Sequence, residues 1–98
     1  MGSEGLHEKR EALSKETIDL HRAITSLVEE LEAVDWYNQR VDVASDPELA
    51  GILAHNRDEE KEHAAMLMEW IRRHDEAFAH EMKDYLFTEK PVTEIEEE

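Results

Sequence analysis

Apolar residues recur along the first half of the chain at helical intervals: Leu20, Ile24, Leu27, Leu31 and Val34 follow steps of 4, 3, 4 and 3. This is the stripe of a helix that packs lengthwise against others. Ser14 offers a capping side chain, and no Gly or Pro interrupts the run from there to about Ala44, so one long helix is predicted. Ser45-Asp46-Pro47-Glu48 then combines a cap, a proline suited to the first helical position and an acid near the positive end of a helix dipole. A second helix follows to about His74, and the short connection makes the two antiparallel neighbours. Asp75 to Leu86 predicts a third, shorter helix presenting Phe78, Met82, Tyr85 and Leu86, before Lys90-Pro91 breaks the pattern. Strand-type alternation is absent. The expected fold is all-α: one domain over 1–98, an antiparallel two-helix hairpin plus a short C-terminal helix, with residues 1–13 flexible and 90–98 a solvated acidic tail.

Continued from Leu49 by the same stepping, the second helix reads Leu53, Asn56, Glu60, His63, Leu67, Trp70 and His74. The middle of its packing stripe is polar. An unpaired ion placed there would lose solvation at a cost of roughly several kcal/mol, so something must compensate it. Glu60 and His63 project to one side a turn apart, which lets a carboxylate oxygen and an imidazole nitrogen reach one ion. On the first helix Glu30 lies beside the stripe, near Leu27 and Val34, and Tyr37 follows one heptad later on the same face. Di-metal four-helix bundles of the ferritin-like kind take a Glu from each of two helices and Glu-x-x-His from each of the other two. This chain carries half of that set. Two antiparallel copies would bring together Glu30, Glu60 and His63 twice over, for a pair of ions. Burial asks for the same dimer, because a chain this short removes only about 60–65% of its unfolded surface from water. Carboxylates with imidazole suit Fe(II), Mn(II) or Zn(II), and oxygen-rich ligation stabilises Fe(III) once formed. The expected chemistry is therefore oxidation of Fe(II) to Fe(III) by dioxygen, with Tyr37 orienting a bridging carboxylate. The alternative is a non-catalytic metal-buffering or assembly protein whose buried polar residues fix helix register.

Composition narrows the partners. The chain has 26 Asp+Glu against 11 Lys+Arg, a formal charge of −15, which repels nucleic acid and anionic membrane surfaces and favours divalent cations. With no Cys there is no thiolate metal site, iron–sulfur cluster, disulfide or cysteine nucleophile, which fits a cytoplasmic protein. The start, MGSEGLHEKREAL, lacks both a basic n-region and an apolar h-region, and no run is long enough for a membrane span. Glu29, Glu32 and Trp36 fall on the side of the first helix away from Leu20, Ile24 and Leu27, where two acids beside an aromatic would make a weak cation-attracting vestibule or an ordinary solvated face. His7 and His55 read as surface residues, and Met66 and Met68 as core or interface filling.

The segments Glu29-Glu30-Leu31-Glu32-Ala33-Val34-Asp35-Trp36-Tyr37, Leu53-Ala54-His55-Asn56, Asp58-Glu59-Glu60-Lys61-Glu62-His63-Ala64-Ala65-Met66, Glu69-Trp70-Ile71-Arg72-Arg73 and Tyr85-Leu86-Phe87-Thr88-Glu89 resemble the encapsulated ferritins of bacteria. The resemblance runs from about Leu6 to Glu96. It implies a two-helix protomer whose ferroxidase centre exists only at a dimer interface, with the dimers arranged in a ring-shaped homodecamer. It further implies that Glu30, Glu60 and His63 bind the di-iron pair, with Ca, Mn or Zn as substitute ions, that Tyr37 lies close by, and that Glu29, Glu32 and Trp36 form a metal-uptake site. The implied partner is an encapsulin shell protein, and the implied location an encapsulin nanocompartment in the cytoplasm that stores the oxidised iron. Members of that family commonly carry a linker and a short shell-targeting peptide beyond the acidic stretch, and this chain stops at Glu98.

Overall fold

The computed structural model describes residues 5–96. The first long helix, α1, spans Lys15–Val43, and Ser14 caps it by accepting the Thr17 N–H on its hydroxyl at 3.1 Å. The second, α2, spans Pro47–His74, with Pro47 in its first turn and the Leu49 N–H donating to Asp46 Oδ2 at 2.9 Å. Asp75 both ends α2 and starts α3, Glu76–Tyr85, where its carboxylate accepts the Phe78 N–H at 2.9 Å. Each of these three helices begins where a capping side chain precedes it.

Two short elements flank the three expected helices. Within the acidic tail Val92–Ile95 forms a single turn, α4, started by the fixed φ of Pro91 and a 2.9 Å bond from the Glu94 N–H to the Pro91 carbonyl. A 3-10 turn at Arg10–Ala12 likewise sits inside the segment expected to be flexible. The remaining parts of those two readings, residues 1–4 and 97–98, lie outside the described residues.

Helices α1 and α2 pack against each other along the hairpin, α3 packs on α2, and α4 on α3. The side chains buried in this arrangement are Ile18 and Ala23 of α1 and Ala64 and Ile71 of α2, the last only 1% exposed. None of these four lies on the leucine stripe. Ala23 and Ala64 are small enough to be covered by the opposite helix, and Ile18 and Ile71 fill the hairpin farther toward its open end. Leu31 remains 52% exposed and Ile24 42%, and Leu49 and Ile52 on α2 are exposed as well. Each long helix has only one long neighbour, which covers part of an apolar face that is more than 100° wide. No described helix is long and apolar enough to cross a membrane.

Candidate metal centre

Glu30 comes from the middle of α1, and Glu60 and His63 from the facing middle of α2. His63 Nδ1 stands 3.5 Å from Glu30 Oε2 and 3.5 Å from Glu60 Oε2. Both separations lie at the outer edge of hydrogen bonding, so the imidazole sits between two carboxylates without a short bond to either. One ligand atom from each of the three residues falls within 4.8 Å of the others, a spacing that a single ion can bridge. The three side chains are half-buried, and Glu30 Oε2 is itself buried with no hydrogen-bond partner among the described residues. A buried carboxylate oxygen without a donor carries a desolvation cost that a cation would offset. The donor set therefore fits a divalent metal.

Of the residues singled out from the sequence, the structure brings these three together. Tyr37 is half-buried on the same helix, about 10 Å along the axis from Glu30. Its ring is capped by the Arg40 guanidinium, 5.4 Å from the ring centroid. Glu29 is exposed, Glu32 half-buried and Trp36 48% exposed, and within one copy they do not join the cluster at His63. Glu59 and Glu62 are solvent-exposed, as a charged outer face of α2 would be, and their carboxylates also lie close enough to His63 to share an ion with it. The available signal was their spacing: Glu59 is four residues before His63 and three before Glu62. His55 Nε2 also faces Glu59 Oε1 at 3.4 Å. Beside the centre, hydrogen bonds from Arg57 and then Lys61 hold the Asp58 carboxyl below its usual range.

Two long antiparallel helices that carry a carboxylate–imidazole cluster on a half-covered lateral face define half of a ferritin-like bundle. The chain belongs to the EncFtn-like family of encapsulated ferritins, whose family model matches residues 5–89. It is 63% identical over 94 residues to the encapsulated ferritin-like protein of Rhodospirillum rubrum, covering 96% of this chain and 67% of that protein. It is 53% identical over 92 residues to a ferritin-like protein of Thermotoga maritima, covering 94% of this chain and 81% of the other. A crystal structure of a Nitrosomonas europaea protein superposes with a TM-score of 0.87 at 69% identity, covering 90% of this chain and 97% of that one.

Proposed function

We propose that the protein is a ferroxidase whose active unit is a dimer, with the di-iron centre built from Glu30, Glu60 and His63 of two copies. The observation that carries this reading is the convergence of the three side chains around the partnerless Glu30 oxygen, on a face that one copy leaves open. One copy offers two carboxylates and one imidazole, half of the ligand set of a di-metal carboxylate bundle. Two copies related by a two-fold axis complete it. Fe(II) is the substrate: each ion gives one electron to dioxygen, and the product Fe(III) is held by carboxylate oxygens.

The surrounding residues have subsidiary roles in this reading. Tyr37 donates a hydrogen bond that orients a carboxylate of the assembled centre. Glu29 and Glu32, beside Trp36, gather Fe(II) at the protein surface, and the charge of −15 raises its local concentration. Dimers join into a ring-shaped decamer that acts inside an encapsulin compartment, where the oxidised iron is stored. The name of the Rhodospirillum rubrum relative supports the encapsulated location.

Stopped-flow absorbance after mixing anaerobic Fe(II)-loaded protein with oxygen tests the activity. The full chain should give a rapid ferric signal, and Glu30→Ala, Glu60→Ala and His63→Ala should each slow it by about tenfold or more. Iron binding without a ferric signal would instead make the protein a metal buffer. Loss of oxidation in Glu32→Ala with full activity in Glu60→Ala would exchange the two assigned sites.

A further inference from the structure

The four buried side chains of the hairpin lie on one side of the metal ligands. Ile18 and Ala23 precede Glu30 on α1, while Ala64 and Ile71 follow Glu60 and His63 on α2, so all four pack the open end. Toward the loop, residues 31–43 of α1 and 47–59 of α2 contain no buried side chain. The ligands therefore stand at the edge of the packed half. The loop half, where Val34 and Leu53 are only half-buried, also carries a polar contact. Arg57 Nη1 donates to Asn38 Oδ1 across the hairpin at 3.0 Å, while Arg57 Nε donates to Asp58 Oδ1 at 3.1 Å. The Arg57 side chain is 22% exposed, although Asn38 is at the surface. The Asp58 contact stays within α2 and orients the guanidinium, and the Asn38 contact ties it to α1.

We propose that Arg57 is a positioning residue for the metal centre: with Asn38 it clamps the loop half of the hairpin at the register where Glu30 meets Glu60 and His63. The proposal rests on the metal-site reading given above. Arg57 lies one turn before Glu60, and Asn38 lies two turns beyond Glu30, so the clamp and the open-end core bracket the ligands. A one-residue slip of α1 would move Glu30 by about 1.5 Å and turn it by about 100°. Metal–ligand distances tolerate only about 0.2 Å. A contact that adds little to folding can thus decide whether the third ligand reaches the ion.

Co(II) titration of the full chain, followed by visible absorption, tests this without turnover. Arg57→Ala and Asn38→Ala should each raise the Co(II) dissociation constant by about tenfold, and the double variant should lose no more than either single one. At saturating Co(II) their spectra should differ from that of the unaltered chain, because the ligand set has lost a carboxylate. A contact that only stabilised the fold would leave the saturated spectrum unchanged. Arg57→Lys, which offers a single ammonium, should behave like Arg57→Ala. Asn38→Asp, which keeps an acceptor for the guanidinium, should retain the parent spectrum. If Arg57→Ala does not fold, Asn38→Ala decides the matter, since it truncates an exposed amide. Affinity within twofold and superimposable saturated spectra in Asn38→Ala would overturn the clamp while leaving the metal centre standing. Absence of any Co(II) spectrum in the unaltered chain would overturn both.

Discussion

Leu31→Ser separates the stability of one copy from the affinity between two. Leu31 follows Glu30 directly on α1, and 52% of its surface remains exposed in a single copy. Fully burying a leucine side chain is worth about 1.5–3 kcal/mol, so the uncovered half can still contribute about 1 kcal/mol when another copy closes over it. A two-fold interface uses the residue twice, which brings the total to about 2 kcal/mol, or roughly thirtyfold in the dimer dissociation constant. The half already covered within the hairpin is a separate loss of about 1 kcal/mol, which appears in the thermal unfolding of the monomer. Sedimentation equilibrium across a range of protein concentrations, with chelator present, measures the association constant directly. If ligands from two chains converge on the ions as proposed, redox-inert Zn(II) should shift both proteins toward the dimer, because binding free energy then becomes association free energy. A dissociation constant in Leu31→Ser equal to that of the unaltered chain would show that this face does not close the dimer, and the shared centre would have to be placed elsewhere.

Two further predictions concern the isolated hairpin. Ile71→Ala, at the most buried side chain, should cost about 3 kcal/mol and lower the melting temperature by roughly 15 °C, whereas Val43→Ala, at a site 79% exposed, should leave it nearly unchanged. Hydrogen bonds from Arg72 and then Arg73 lower the Glu69 carboxyl to about 2 from its ordinary 4.5. A carboxyl lowered in the folded state contributes stability above its unfolded value, and that contribution disappears as the pH falls through the folded value. The melting temperatures of Glu69→Gln and the unaltered chain should therefore differ above about pH 4.5 and converge near pH 2, by a margin that shrinks with added salt because the cluster is solvent-exposed. An offset that stays constant across that range would refute the assignment.

The helix boundaries were legible because they are written locally. Ser14, Asp46-Pro47 and Asp75 announce helix starts within three or four residues, and the structure uses each of them as a cap. Glu60 and His63 were legible for a related reason: ionisable residues in phase with leucines break a pattern visible along one helix. The most buried positions were not legible. Stepping by threes and fours follows the leucine stripe, whereas burial falls on Ile18, Ala23, Ala64 and Ile71 beside it, and sequence patterning does not separate Ala23 or Ala64 from any other alanine. Arg57 and Asn38 are 19 residues apart, and their pairing depends on how the connection at residues 44–46 sets the register of the two helices. The cluster of Glu59, Glu62 and His63 stayed hidden because charge on an exposed helix face is the ordinary way to keep that face solvated.

On the proposed reading, the exposed apolar residues and the half-built centre give another copy two separate reasons to close on the hairpin. Ile24, Leu31, Leu49 and Ile52 favour closure by another copy, and the partnerless Glu30 oxygen favours a cation. Closure without metal would press together two chains that each carry a formal charge of −15 and would bring their carboxylates into close range. Like charges in a partly desolvated site oppose that approach. Divalent ions reverse the sign of the local interaction: they neutralise the carboxylates while the apolar stripe supplies the remaining affinity. Assembly of the active unit is then coupled to its substrate, so the oxidising centre forms in proportion to the Fe(II) present. That coupling requires ligands from both copies. Were each chain to bind a complete metal centre alone, metal would stabilise the monomer and the dimer equally and leave the association constant where it was.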